Sequence, residues 1–204
     1  KRDGLLSLGA ALALFFSSNG MLTLMSGFDK AYNETFKPRA WWRTRLIAIG
    51  LTVILSLLLI VSLIIMVVEG KVMDVLKNAY HIPDIILVSV SIFNYIFSIF
   101  MVYTGISLIY TFGPSMYRRI SFINIGSIIA TVLSLLTSLG FSYFINNFGK
   151  YNEIYGSIGA LMVTMVWIQL NSFILLVGFE LNASLAVKKT EYRNLKKAGK
   201  KLTS

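Results

Sequence analysis

Uncharged runs set the frame of this chain. Gly4–Phe28, Leu46–Val68, Ile85–Tyr117, Ile120–Gly149 and Ile154–Phe179 hold 25, 23, 33, 30 and 26 residues without one Asp, Glu, Lys or Arg. A helix needs roughly 20 mostly apolar residues to cross the hydrocarbon core of a bilayer. A soluble helix shows charge on its wet face every turn or two; these runs do not. The pattern predicts an all-α polytopic transmembrane bundle with five spans. It divides the chain into a transmembrane helical domain over 1–187 and a short basic tail over 188–204.

The polar positions inside the runs differ from span to span. Leu46–Val68 is almost purely Leu, Ile and Val, with Thr52, Ser56 and Ser62 as its polar side chains. It is expected to face lipid. In the fourth run Asn124, Ser127, Thr131, Ser134 and Ser138 recur at spacings of three and four, which is one helical face. Gly126, Ala130, Thr137 and Gly140 form a small-residue stripe beside it. Small residues let membrane helices approach closely, and hydroxyls can bond across helices. The fourth span is therefore expected to be the most enclosed and the second the most lipid-exposed. Matching polar stripes run along the fifth span (Ser157, Thr164, Asn171, Gly178), the third (Ser91, Asn94, Ser98, Gly105) and the first (Asn19, Thr23, Ser26). They either knit helices together or line a wet cavity. Asn19, Asn94, Asn124, Thr131 and Asn171 are the cavity candidates, because an unpaired amide is costly in hydrocarbon. Pro83 suits the first turn of the third helix. Pro114, after Gly113, should end it.

Composition removes several chemistries. There is no cysteine, and the one histidine, His81, lies in a short polar loop. All nine acidic residues lie outside the uncharged runs. A hydrolytic metal centre needs several such ligands together, so no metal site, no cofactor and no catalytic residue are expected.

The net charge of +10 could suggest nucleic acid, but its distribution opposes that. Alternate connections carry 14 of the basic residues, among them Lys37, Arg39, Arg43, Arg45, Arg118, Arg119, Lys189 and Arg193. The other set carries 5. Lys and Arg accumulate on the cytoplasmic side of membrane proteins. The 29–45 loop, the 113–119 turn and the C-terminus are therefore expected inside. Trp41 and Trp42 beside Arg43 suit an interfacial anchor. Arg39, Arg43 and Arg45 are candidates to gather anionic headgroups there.

Several local patterns carry a resemblance. Tyr151-Asn152-Glu153-Ile154-Tyr155-Gly156, followed by Gly159 and Ala160, reads as Y-x-x-x-Y-G-x-x-x-A. Gly178-Phe179-Glu180-Leu181-Asn182-Ala183 reads as G-x-E-L-N-A. Upstream stand Tyr110, Pro114 and Gly126, then Ser18-Asn19-Gly20, Tyr32, Arg39 and the Arg43–Thr52 stretch. In this order the chain resembles the YihY/BrkB family of bacterial inner-membrane proteins along essentially its whole length. The resemblance implies about six spans, one of them ahead of Lys1. It also implies an Asn after the first span here, where this chain has Asp29. The family once carried a ribonuclease BN label, which the residue inventory opposes. It has since been connected with movement of lipids or lipopolysaccharide precursors, sometimes beside AsmA-like envelope proteins.

The residues then take these expectations. Glu180 is either a wet helix-end residue or a carboxylate that pairs with a loop arginine such as Arg39 or Arg43 or takes part in proton or headgroup handling. Tyr151, Tyr155 and Gly156 are either an aromatic belt with a close-packing glycine or an outer docking point. Asn182 belongs to the family ending. The function expected is handling or transport of a lipid or other amphiphile in the bacterial inner membrane. Membrane lipids are the expected partners, and nucleic acid is not. The rival is a structural or anchoring subunit of a larger membrane complex.

Overall fold

Each uncharged run becomes one helix, in a computed structural model that describes residues 3–29, 35–79, 84–147 and 149–202. The helices are α1 (Asp3–Phe28), α2 (Trp41–Ala79), α3 (Asp84–Phe112), α4 (Ile125–Asn147) and α5 (Gly149–Leu202). All five are long and apolar enough to cross a membrane. The expected all-α bundle is the observed architecture. Tyr32, His81 and Pro83 lie outside the described residues, as do the side chains of Tyr151 and Tyr155 and the surroundings of Gly156.

The helix ends follow from local chemistry. Gly113 donates its N–H to Ile109 O at 2.8 Å, and Pro114 follows, so α3 stops at Phe112. The fourth helix begins later than its uncharged run, at Ile125, because residues 113–124 form an irregular loop. The basic segment from Lys188 adds no new element, since α5 runs unbroken to Leu202 over 54 residues. At 1.5 Å per residue that is roughly 80 Å, well beyond a bilayer of about 40–45 Å. The helix therefore stands out of any membrane it crosses.

The core is concentrated at the end of the bundle that carries the 29–40 and 113–124 segments, called here the basic end. Met25, Phe28, Ala48, Leu51, Ile106, Ile109, Tyr110, Ala130, Phe179 and Ala183 are all buried there. At its centre Phe28 meets Phe179 at 4.5 Å and Tyr110 edge-on at 5.9 Å. Tyr110 donates its hydroxyl to Leu175 O at 2.7 Å, so its polar atom is satisfied inside the bundle. Toward the other end the apolar side chains turn outward: Leu5 and Phe16 of α1, Ile64 and Met66 of α2, Phe93 and Tyr95 of α3, Leu139 of α4 and Met165 of α5 are exposed.

The polar stripe of α4 does face protein: Ser127, Thr131 and Ser134 are 0%, 4% and 8% exposed. One of its hydroxyls joins helices as expected, Ser138 Oγ accepting the Trp167 Nε1–H of α5 at 3.4 Å, but Thr131 does not. Thr131 bonds back to Ser127 O at 2.7 Å. Thr23, Thr52, Thr164, Thr190, Ser89 and Ser172 likewise bond to the carbonyl four residues earlier in their own helices. Such back-bonding satisfies the hydroxyl within its own turn. The stripe works by being small. The ranking of spans also differs from expectation. In each helix's most apolar stretch the buried share is 22% for α3, 17% for α4, 11% for α2 and 6% for α1 and α5. The third helix packs between α2 and α4, and the fourth between α3 and α5. The second gains from Ala48, Leu51 and Thr52, which seat it against α1 around Met25.

The tightest contact is between α4 and α5. A Cβ on Gly126 would collide with Gly178 O, and one on Gly178 would lie 2.5 Å from the Tyr110 hydroxyl and 2.8 Å from Ala130 Cβ. Without a hydrophobic drive between helices in lipid, such backbone proximity is what holds a membrane bundle. Gly126→Ala and Gly178→Ala are therefore each expected to destabilise by about 1–3 kcal/mol or more. Gly140→Ala, which meets nothing within 4 Å, should be neutral or slightly stabilising. Thermal unfolding of the three variants in detergent checks this; equal midpoints would refute the close-contact account.

Candidate functional site

The site grows from the start of α4. Asn124 stands just before the helix, and its Oδ1 accepts the Ser127 N–H at 2.7 Å, which is N-capping geometry. Its Nδ2 donates to Ser121 O at 2.8 Å, which folds the preceding loop onto the cap. Asn182 reaches across from α5. Its Oδ1 accepts the Gly126 N–H at 3.0 Å, and its Nδ2 donates to Asn124 Oδ1 at 2.6 Å. Two N–H groups that a helix start leaves open are thus taken by two asparagines from different elements. Asn182 is buried, so this happens away from water.

Above this cap lies a cavity of about 610 Å³, open to the surface at the basic end. Arg118, Arg119, Lys189 and Arg193 border it, together with Asn124, Asn182, Ser121 and Thr190. Apolar Ile120, Ile123, Ile125, Leu185 and Ala186 also line it. Ile123 and Ile125 are 77% and 57% exposed, so the rim is apolar as well as basic. Among the described residues no Asp or Glu lines this cavity.

The neighbouring loops are fastened beside it. Phe36 and Met116 form an isolated antiparallel bridge, flanked by Lys37 N–H to Ser115 O at 2.7 Å and Tyr117 N–H to Thr35 O at 3.1 Å. Arg39 clamps the same loop, donating to Gly113 O at 3.2 Å and Pro114 O at 2.8 Å. Burial pushes the Arg39 pKa down from its ordinary value. Asp29 opposes that shift and Arg119 adds to it. The ordinary value lies so far above neutrality that the guanidinium stays charged. Asp29 accepts the Ser115 hydroxyl at 2.7 Å, so the residue found where the resemblance implies Asn bonds the two loops together.

The structure sorts the residues expected from sequence. Of the five cavity candidates, Asn124 alone borders the large cavity, and it does so as a helix cap. Thr131 is buried between helices. Asn171 bonds to Trp167 O within its own helix at 3.0 Å. Asn19 accepts from Arg45, and Asn94 is half-buried on α3. Of the three headgroup candidates, Arg39 and Arg43 border one cleft and Arg45 does not. Arg39 is the loop clamp and borders a smaller cleft of about 170 Å³ with Lys37 and Arg43. Arg43 lies 5.1 Å over Trp42. Arg45 sits elsewhere, with Asn19 and over the Phe15 ring at 4.9 Å. Glu180 is exposed on α5 between the buried Phe179 and Asn182.

Arg118, Arg119, Lys189 and Arg193 were legible in the sequence only as topology signals. One clue was available: Lys189 and Arg193 are four apart and share a helical face. Nothing local tied them to the 118–119 pair.

The fold is that of a multi-pass helical membrane protein. The chain belongs to the virulence factor BrkB family, whose family model matches residues 1–202. It is 28% identical over 189 residues to the ribonuclease-like protein YfkH of Bacillus subtilis, covering 93% of this chain and 68% of that protein. A UPF0761 membrane protein of Tolumonas auensis is 33% identical over 81 residues, which is 40% of this chain and 27% of the relative. One from Aeromonas salmonicida is 36% identical over 78 residues, 38% of this chain and 27% of the relative. No solved structure matches the chain.

Asn182→Ala removes the acceptor for Gly126 and the donor to Asn124 in a buried place. It should cost about 1–3 kcal/mol. Asn182→Asp keeps an oxygen for Gly126 but sets a carboxylate oxygen against Asn124 Oδ1, so it should not restore stability. Detergent unfolding of both variants measures this. A fully stable Asn182→Asp would show that the Asn124 bond contributes nothing.

Proposed function

We propose that this protein handles an anionic amphiphile, a membrane lipid or lipid-linked precursor, in the bacterial inner membrane. The observation that carries the reading is the cavity at the basic end, where four cations and exposed apolar side chains share one lining. A soluble anion would need only the cations. An acyl-bearing molecule needs both, with its charged group at the cations and its chains along the apolar rim. Polar and charged groups on a membrane bundle sit most easily at headgroup depth.

The cytoplasmic side is assigned to the basic end by the 14-to-5 asymmetry of Lys and Arg. The chain has no cysteine, so single cysteines can be placed without background. Leu195→Cys should be shielded from an impermeant maleimide in intact cells, and Lys71→Cys should react. The reverse pattern would invert the topology.

Hydrolytic chemistry is not part of the proposal. Among the described residues no three His, Cys, Asp or Glu come together as a metal would require. Degradation of RNA by purified protein, lost on changing His81, would reverse this.

A second reading keeps support from the exposed apolar faces of α1 and α5, which suit a partner subunit such as an AsmA-like envelope protein. A photoactivatable lipid separates the two. Labelling concentrated on residues 120–125 and around Leu185 is expected for lipid handling. Labelling spread evenly over outward helix faces, with the 120–125 rim spared, would place anchoring ahead.

A further inference from the structure

We infer that the cavity at the start of α4 is a binding site for a phosphate group, the headgroup phosphate of an anionic lipid. The inference rests on the amphiphile reading and names its chemistry. The two cation pairs come from elements far apart in sequence. Arg118 and Arg119 stand on the loop after α3, and Lys189 and Arg193 stand one turn apart on α5. The Asn124–Asn182 cap brings those elements together, so the site exists only in the folded chain.

Four positive groups around one cavity, with no carboxylate among its described lining residues, repel one another. A ligand carrying about two negative charges, as a phosphate monoester does, relieves that repulsion better than a single carboxylate. Arg presents a planar fork suited to phosphate oxygens, and Lys acts as a point charge. The α4 N-terminus is not the grip. Its Gly126 and Ser127 N–H groups are already taken by Asn182 and Asn124. The cations are therefore the binding groups, and the helix end only adds a favourable field. A cavity of about 610 Å³ falls within the ordinary range for small-molecule sites, so it takes a headgroup rather than a bare ion.

The test uses the full chain in nanodiscs of phosphatidylcholine doped with phosphatidic acid, read by lipid retention on native mass spectrometry. The unmodified protein should retain phosphatidic acid over phosphatidylcholine. Lys189→Gln with Arg193→Gln should weaken this by about tenfold after salt screening. Ala186→Phe, which fills the cavity and keeps every charge, should weaken it comparably, with topology unchanged by cysteine labelling. Glycerol phosphate added in millimolar amounts should not displace the lipid; efficient displacement would assign the site to a soluble phosphate compound and overturn the lipid source. Retention of phosphatidic acid unchanged in both variants would overturn the phosphate site while leaving lipid handling standing. Absence of any bound lipid in the unmodified protein would remove both.

Discussion

Everything at the basic end depends on how closely α4 and α5 approach. Gly126 and Gly178 leave no room for a side chain between the two backbones, and Asn182 uses that closeness to reach the start of α4. In lipid the packing of helices gains nothing from hydrophobic transfer, so contact distance and satisfied polar groups decide it. The same contact fixes the Phe28–Tyr110–Phe179 cluster, because the Tyr110 hydroxyl occupies the space a Gly178 side chain would take. The loops follow. With α3 and α4 set, residues 113–117 meet residues 35–39 through the Phe36–Met116 bridge and the Arg39 clamp.

A molecule built this way has two unlike ends. One is packed, bridged by backbone hydrogen bonds and rich in cations. The other presents apolar side chains outward on every helix. An amphiphile has the same division, and the cavity at the packed end carries cations and exposed apolar side chains in one lining. This is the physical reason for favouring amphiphile handling over nuclease chemistry. The word ribonuclease in the name of YfkH is said of that relative.

The spans were legible because charge is costly in hydrocarbon, whereas a soluble helix of 20 residues carries charge on its wet face. The α3 end at Gly113-Pro114 and the inward face of α4 were legible for the same kind of local reason. The asparagines were not. Asn124 looked like part of a helical stripe, and only the position of the helix start makes it a cap. Asn182 looked like a motif residue with no stated duty, because its partners lie 56 and 58 residues away. Arg39 was grouped with Arg43 and Arg45 by sequence proximity, yet its partners are carbonyls 74 and 75 residues on. Hydroxyl stripes suggest cross-helix bonds, and Ser138 makes one with Trp167, but Thr131 and Thr164 turn back to carbonyls of their own helices. Long-range pairing of polar groups is what a single sequence does not display.

The central claim is that the basic cavity holds the charged end of a membrane amphiphile. The most direct measurement is an electron-density map of the protein in native lipid nanodiscs. The account predicts a phosphate-sized density between the Arg118–Arg119 pair and the Lys189–Arg193 pair, continuous with chain density along Ile123 and Leu185. A cavity filled by another polypeptide, with lipid phosphates confined to the level of Trp41 and Trp42, would contradict it.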